Sequence, residues 1–347
     1  MPLPHDGPSW IRAGIISFLL LTCLLGSVAF QNSPLLVSFS DTATEAQIQA
    51  ALDALPPNGE VRLGPGNYLI HQPLRLRHDF QTLRGSGPET LLRLADKAQC
   101  PVVLLGPALT ERSHPATHLH LADLTIDGNR ANQATEHWRN ASDGSVINNN
   151  GVDVWKAEDV VIERVAASHC RSGGLVAAQA RRLVVRDFDA YDNQFDGLAC
   201  YQTEDSRFDD LRLHDNLSAG LSLDLSFDHN TIARADLTGN DLGVFMRDSR
   251  DNSFQDLSIA RSRNHGVFMA QTATESGGTW RFAPGTECSG NTFSGLTVTA
   301  SGGRAFQVND ASCTNNTITV ASFQDNALGG LAQPRGNLVT VRALSVR

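Results

Sequence analysis

The chain has 347 residues, of which 41% are hydrophobic, and a formal net charge of -9. That length and apolar content supply a buried core, which excludes a disordered chain, and the acidic balance leaves no basic surface for phosphates, which excludes nucleic-acid binding. We therefore expect a folded protein with one large domain or two ordinary ones.

The first 30 residues differ from the rest of the chain. Arg12 precedes an apolar run from Ile15 to Phe30, and Ser27-Val28-Ala29 resembles a signal-peptide cleavage site. The run from 13 to 30 is also long enough for an uncleaved membrane anchor. Both alternatives predict an exported protein in which residues 31–347 form the folded domain and only the N-terminal segment meets a membrane.

A fixed repeat begins near the middle of the chain. Each unit opens with a segment such as GLACY or GVFMR, whose second and fourth residues are apolar, as in a strand with one buried face. A repeat of constant length without a helical run indicates a solenoid of short stacked strands. The glycines that open the units recur every 23 residues: Gly151, Gly174, Gly197, Gly220, Gly243 and Gly266.

A second apolar triplet, spaced three residues and then two, follows in each unit. Ile162, Val165 and Ala167 are one example, and equivalent triplets extend from Leu121 to Val346. The same coil therefore runs from about residue 60 to the end, roughly ten turns of it. This pattern predicts an all-β parallel β-helix with neighbouring strands ~4.8 Å apart.

At this point the chain resembles the right-handed parallel β-helix (pectin-lyase-like) superfamily. The segment EAQIQAALDALPPNGEVRLGPGNYLI is similar to the start of that fold, with an amphipathic capping helix from about Glu45 to Leu55 before the first strand. The resemblance implies a single right-handed parallel β-helix with an N-terminal capping helix, and a carbohydrate-active or carbohydrate-binding surface. The chain lacks the motifs NTD, RIK and DPH of that superfamily's enzymes, so no catalytic residue is carried over.

Two sets of residues test how the coils stack. An asparagine stands two residues before the second triplet in several units, which predicts a hydrogen-bonded ladder of Asn230, Asn252, Asn291 and Asn316. Cys288 and Cys313 each stand three residues before a ladder asparagine in successive coils. Their Cα atoms should then lie ~5 Å apart, which predicts a disulfide in an exported protein.

Two insertions interrupt the coil. The first runs from Asp127 to Asn150 and enters the strand at Gly151, whereas the second runs from Thr272 to Gly290 and leaves the strand at Gly266. Solenoids accommodate insertions as surface loops, frequently on the binding face. The insertions are expected to flank opposite edges of one sheet as the walls of a groove, or else to be loops without a function.

The floor of that groove would consist of the third and fifth residues of each glycine-led strand. These positions point outward and carry aromatic side chains, which an ordinary solvated face would not. The aromatic rings could bind sugars, or they could pack under the inserted loops. The candidate substrate-binding residues are Asp153, Trp155, Phe245, Phe268, Asp248 and His265.

Three of the fifth-position residues form the candidate catalytic set. Tyr201, Asp224 and Arg247 stand in consecutive coils, so their side chains start ~4.8 Å apart. They offer a proton donor, a carboxylate and a cation for a uronate carboxyl group, as β-elimination or C5 epimerisation of an acidic polysaccharide requires. The alternative is a structural Asp224–Arg247 ion pair with Tyr201 packed beside it.

Hydrolysis needs two carboxylates at a defined separation. Asp224 and Asp248 are one coil and one residue apart, or ~6 Å, which is nearer to the retaining arrangement than to the inverting one. Asp248 ends its strand and could point away. His265 could act as an acid or base, or cap the bend before Gly266.

No cofactor is required by either reaction, although calcium has one candidate site. Asp205, Asp228 and Asp251 follow the glycine-led strands in consecutive coils, where like charges ~4.8 Å apart repel unless they are solvated or bridged by a cation.

We therefore expect an exported protein that acts on a polysaccharide, as a lyase or C5-epimerase of an acidic polymer. The alternatives are a glycoside hydrolase that uses the same groove, or a non-catalytic, carbohydrate-binding or adhesive solenoid. The last triplet ends at Val346 without a capping element, which predicts end-to-end pairing with another chain.

Overall fold

The computed structural model describes residues 35–107, 114–139, 146–271, 273–276, 279–282, 285–336 and 339–346. Residues 1–30, which the sequence predicts to be a signal peptide or anchor, lie outside the described residues. No helix within the described ranges is long and apolar enough to cross a membrane.

Helix α1, Glu45–Ala54, closes the first coil. Thr44 caps it through a reciprocal pair of hydrogen bonds with Gln47, and its inner face buries Ile48 and Leu52. The predicted capping helix is therefore confirmed to within one residue.

Two long sheets, both entirely parallel, form the walls of the coil. The first is the long-strand sheet, with 15 strands: Leu36–Phe39, Glu60–Leu63, Gly66–Ile70, Thr82–Arg84, Thr90–Leu94, His120–Asp127, Val161–Ser168, Val184–Tyr191, Arg207–His214, Thr231–Thr238, Ser253–Ala260, Thr292–Thr299, Asn316–Gln324, Val339–Val341 and Leu344–Val346. The second is the glycine-led sheet, with 10 strands: Leu74–Leu76, Val103–Leu105, Val152–Trp155, Leu175–Ala178, Leu198–Tyr201, Ala219–Asp224, Leu242–Arg247, Val267–Ala270, Phe306–Val308 and Leu331–Ala332. About 12 turns result, where the sequence predicted roughly ten, and the fold class is confirmed as a parallel β-helix.

Shorter elements lie at the turns and in the insertions. Two pairs of short parallel strands lie at the turns after glycine-led strands: Ala116–Thr117 pairs with Ala157–Glu158, and Phe227–Asp228 pairs with Ser249–Arg250. The first insertion contains a 3-10 turn, Arg130–Asn132, and an antiparallel hairpin, His137–Arg139 with Val146–Asn148. The second insertion forms the hairpin Ala273–Ser276 with Thr279–Phe282.

The spacing of the apolar triplets has a backbone cause. Ile162, Val165 and Ala167 are all buried, and Arg164 between them is left-handed with φ 52°. Neighbouring strands repeat this conformation at Asp187 and Asp210. One left-handed residue turns the chain so that inward positions fall three apart instead of two.

The constant 23-residue spacing of the glycines also has a steric cause. A Cβ atom on Gly174 would lie 2.7 Å from the carbonyl oxygen of Gly197, and the same approach repeats at Gly151. The coil turns so tightly before each glycine-led strand that a side chain has no room there.

The asparagine ladder is confirmed. Asn252 donates from Nδ2 to Oδ1 of Asn291 at 2.9 Å, and Asn291 donates in the same way to Asn316 at 3.0 Å. Asn230 joins through its backbone N–H, which donates to Asn252. A second ladder of Asn193, Asn216 and Asn240, which the sequence analysis did not predict, lines the opposite bend.

Candidate functional site

The outward face of the glycine-led sheet brings the predicted columns into register. Asp153, Phe245 and Phe268 share the third-residue column, and Tyr201 and Asp224 are direct register partners in the fifth. The sequence analysis left two alternatives for this face, exposed or covered, and its carboxyl groups are covered, since only 4% of Asp153 and 2% of Asp224 is exposed. Alternation along a strand predicts which face a residue is on, but not what covers that face.

Asp224 and Arg247 form an ion pair at the centre of this face. Arg247 Nε donates to Asp224 Oδ2 at 2.9 Å, and Nη2 donates to the same oxygen. The guanidinium carbon lies 5.1 Å from the centre of the Phe245 ring, within the range of a cation–π contact. Arg247 is half-buried, so part of the guanidinium reaches solvent.

Tyr201 lies beside Asp224 and remains protonated at neutral pH. Burial, followed by the negative charges of Asp196 and Asp224, raises the pKa of Tyr201 to about 12, although a hydrogen bond with Ser222 opposes this shift. The phenol can therefore give a proton but does not act as a base near neutral pH.

Asp196 belongs to this cluster, and the sequence analysis missed it. Its Oδ1 accepts a hydrogen bond from the Ala219 N–H at 2.8 Å, and its side chain also bonds Ser218 and Ser222. Burial raises the pKa of Asp196. The sequence did contain a signal for Asp196. It is an acidic residue directly before Gly197, whereas the equivalent positions before the other five glycines carry no acidic residue.

Asp153 is a second buried carboxyl group on the same face. Asn150 donates to its Oδ1 at 2.8 Å, while Oδ2 is buried and has no hydrogen-bond partner among the described residues. Burial raises the pKa of Asp153 to about 8 despite the hydrogen bond from Asn150. This side chain is therefore a neutral acid at physiological pH rather than a carboxylate.

An aromatic row extends from the ion pair toward the second insertion. The Phe245 and Phe268 rings are parallel within 2° and 6.0 Å apart, and the His265 ring stacks on Phe268 at 5.8 Å. His265 Nδ1 also accepts a hydrogen bond from the Arg304 N–H, so it caps the bend as one alternative predicted. Trp155 is half-buried at the far end of the fifth-residue column.

Asp248 faces the turn after its strand. Its carboxylate lies 3.5 Å from the Arg250 guanidinium and accepts a long hydrogen bond from Ser226. Arg250 also donates to the Gly285 carbonyl and so ties the second insertion to this turn. Burial, with smaller contributions from the charges of Asp228 and Asp224, raises the pKa of Asp248, and its pairing with Asp224 for hydrolysis stays a prediction.

The turn aspartates bind cationic side chains of the protein. Asp205 pairs with Arg181 at 2.9 Å and Asp228 with Arg250 at 2.7 Å. Nowhere in the described ranges do three or more His, Cys, Asp or Glu side chains group in a way that could hold a metal ion. The calcium hypothesis therefore has no support at Asp205, Asp228 and Asp251.

The predicted cysteine pair is close in space. Cys288 and Cys313 are both buried, and their thiols are hydrogen-bonded to each other without a disulfide between them. Burial raises the pKa of the Cys288 thiol. The adjacency of the two coils is confirmed, and the disulfide stays a prediction.

Solved structures with the same architecture confirm the fold alone. The chain matches ORF18 of Geobacillus virus E2 with a TM-score of 0.62 at 12% identity, over 88% of this chain and 57% of that one. It matches the catalytic domain of a GH87 alpha-1,3-glucanase with a TM-score of 0.62 at 13% identity, over 91% and 59%. A family 28 exopolygalacturonase of Yersinia enterocolitica gives 0.52 at 11% identity, over 90% and 78%.

Sequence relatives include mannuronan C5-epimerases. The chain is 32% identical over 177 residues to mannuronan C5-epimerase AlgE4 of Azotobacter vinelandii, which is 47% of this chain and 30% of that protein. It is 29% identical over 189 residues to mannuronan C5-epimerase AlgE1 of the same organism, which is 51% of this chain and 13% of that protein. The chain thus spans less than a third of the length of these relatives.

A family profile matches more than half of the chain. The family is described as periplasmic copper-binding protein (NosD), and its profile covers residues 117–280 and 189–341 in two overlapping matches. The described residues do not fit a copper site, because they lack a three-residue donor group and the Cys170 and Cys200 thiols are buried with raised pKa values. The profile match nonetheless establishes the relationship, and the chain belongs to the NosD family.

Proposed function

We propose that this protein acts on an acidic polysaccharide at the glycine-led face, as a C5-epimerase or a lyase. The observation that carries the proposal is the row of Tyr201, Asp224 and Arg247, in which a protonated phenol, a carboxylate and a guanidinium meet on one half-buried face. The sequence relatives named mannuronan C5-epimerase support an epimerase over a hydrolase.

The proposed chemistry begins at C5 of a uronate. Asp224 takes the C5 proton while the electron pair moves into the carboxyl group, whose growing negative charge Arg247 stabilises. Arg247 uses Nε and Nη2 for Asp224, which leaves Nη1 for the substrate. For epimerisation, Tyr201 returns a proton to the opposite face of C5, and solvent then restores both side chains.

A lyase would share the first step and differ in the second. The electron pair at C5 would expel the O4 substituent, the C4–O4 bond would break, and Tyr201 would protonate the departing oxygen. Epimerisation leaves the chain length unchanged, whereas elimination shortens the polymer and leaves a double bond in the new end sugar.

The test uses polymannuronate and polygalacturonate as substrates. Proton NMR reports epimerisation, and ultraviolet absorbance reports unsaturated uronates. Arg247→Gln and Tyr201→Phe should each lower kcat by a factor of about 10² or more, because each removes a charge or proton used in the transition state. Arg234→Gln, on the other sheet, should be as active as the unaltered protein. Unchanged activity in both site variants would sink this assignment.

A non-catalytic carbohydrate-binding role is the second candidate. It is supported by the mutual pairing of Asp224 and Arg247 and by the 2% exposure of Asp224, which a purely structural ion pair would also have. Binding of the polymers without turnover, and without loss of affinity in Tyr201→Phe, would favour this role.

We also propose that the protein is exported. The apolar segment before residue 31 and the periplasmic family description support this location. In an oxidising compartment Cys288 and Cys313 would join in a disulfide. Mass spectrometry of alkylated protein from a periplasmic fraction tests both statements, and free thiols at both positions would contradict the disulfide.

A further inference from the structure

A second groove runs along the other sheet. At the carboxyl ends of the long strands, seven residues stand in register on successive coils: Leu69, Arg93, Asp127, Ser168, Tyr191, His214 and Thr238. Six steps at the strand spacing give this row a length of about 29 Å. We call it the long-strand groove.

Cavities lie toward both ends of this row. One of about 470 Å³ includes Arg93 and Asn129, and the next, of about 220 Å³, shares Asn129 and adds Arg130 and His169. A third, of about 410 Å³, is lined by Arg212, His214, Asp215, Asp236, Thr238 and Arg261. The surface is thus concave on either side of the coil that carries Tyr191.

Planar rings occupy the middle of the groove. Tyr191 and His214 are parallel within 7° with centroids 5.1 Å apart, and His169 meets the edge of Tyr191 at 6.0 Å. All three are partly exposed, so their faces or edges are available to a ligand. Partly exposed rings with polar tips suit sugars, which present both apolar C–H faces and hydroxyl groups.

One arginine of the groove is open to an anionic ligand. Four arginines and four aspartates line the three cavities, and two of the aspartates have hydrogen-bond donors: Asp215 accepts from His214 at 2.8 Å and Asp236 accepts from Thr238 at 2.8 Å. The exposed Arg261 side chain forms no ion pair among the described residues, whereas the unpartnered Nη1 of Arg130 is buried and lies out of reach of a ligand. Arg261 therefore offers an open donor group that matches a carboxylate.

We propose that the long-strand groove is a second, non-catalytic binding surface for a uronate polysaccharide. Arg261 binds a carboxylate group of the polymer, and the ring row of His169, Tyr191 and His214 contacts its sugar faces. A polymer held there keeps a high local concentration of sugar units near the glycine-led face. The choice of a uronate polymer rests on the proposed function, whereas the groove itself rests on its own residues.

The test measures binding without turnover, with polymannuronate as the probe and affinity electrophoresis as the readout. Arg261→Asn should weaken binding about fivefold, in line with the loss of one exposed charge pair. Tyr191→Ala should weaken it by up to about tenfold through the lost ring contact. Arg234→Asn is the matched control, because Arg234 and Arg261 are both exposed and left-handed, with φ 55° and 52°.

Any one of four outcomes would contradict the proposal that this groove binds a uronate polymer. These are affinity unchanged in Arg261→Asn and Tyr191→Ala, an equal loss in Arg234→Asn, equally tight binding of neutral dextran, or no binding of polymannuronate. Arg261→Asn lies on an exposed turn, so its result stands even where Tyr191→Ala fails to fold. If the protein binds the polymer but shows no turnover, the proposed catalysis is contradicted and the groove proposal stands. If the protein shows turnover and the groove variants bind as tightly as the unaltered protein, the groove proposal is contradicted and the proposed catalysis stands.

Discussion

Asp153 shows at the residue scale what burial does to a carboxyl group. Its pKa rises from 3.8 to about 8, so the folded protein holds a proton that the unfolded chain releases. This group therefore favours folding below about pH 4, and that contribution is lost as the pH rises toward 8. Asp153→Asn cannot ionise, so its Tm should exceed that of the unaltered protein at pH 8 and approach it at pH 4. A Tm difference that does not vary with pH would contradict the raised pKa.

The sequence predicted which residues share a column, but not their protonation. Period-two alternation placed Asp153 and Asp224 on the outward face, and the register confirms that placement. The burial of Asp153 depends on a contact that no local pattern records, the Asn150 side chain, whereas the Asp224–Arg247 ion pair was one of the two alternatives that the column predicted. Chemistry at this face is therefore set by neighbours from other coils.

At the scale of single elements, the asparagine ladder links each coil to the next by hydrogen bonds. Asn252 is 2% exposed and donates to the Phe227 carbonyl and to Asn291, while it accepts from the Asn230 N–H. Asn252→Ala removes these bonds and leaves buried groups unpaired, so the free energy of unfolding should fall by about 3 kcal/mol. Urea denaturation measures this loss.

The matched control for the ladder is Asn264→Ala. Asn264 is exposed, and its contacts at 2.8 Å to Asp241 and 2.7 Å to Gly303 use backbone atoms only. Its replacement should change the free energy of unfolding by no more than about 0.5 kcal/mol. Equal losses in the two variants would mean that the ladder does not hold the coils together.

Only one of the two ladders was predictable from the sequence, and the difference is geometric. Asn230 and Asn252 keep one spacing from the apolar triplets that follow them. Asn193 and Asn216 stand four residues before their glycines, but Asn240 stands three before Gly243. A turn can contain one residue more or fewer and still place the asparagine side chain at the same position. Sequence spacing alone therefore does not predict such a ladder.

At the scale of the whole molecule, the prediction of the fold depended on the 23-residue period of the sequence. Every glycine-led strand from Val152–Trp155 to Val267–Ala270 pairs with the strand one unit away, with equivalent residues opposite each other. Each coil therefore contacts only its neighbours, and its stability is close to a sum of local terms. The insertions break the period, which is why their structure could not be predicted from it.

Excision of one coil tests this additive architecture. Deletion of residues 174–196 joins Gly173 to Gly197 and brings Val152 opposite Leu198, so every inward side chain keeps its place and the glycine still fits the bend. We expect a folded β-helix with cooperative unfolding, followed by circular dichroism and size-exclusion chromatography. Deletion of residues 174–193 is the control, because it removes almost as much chain but displaces the following strand from its register. Equal disruption by both deletions would mean that the coils are not interchangeable units.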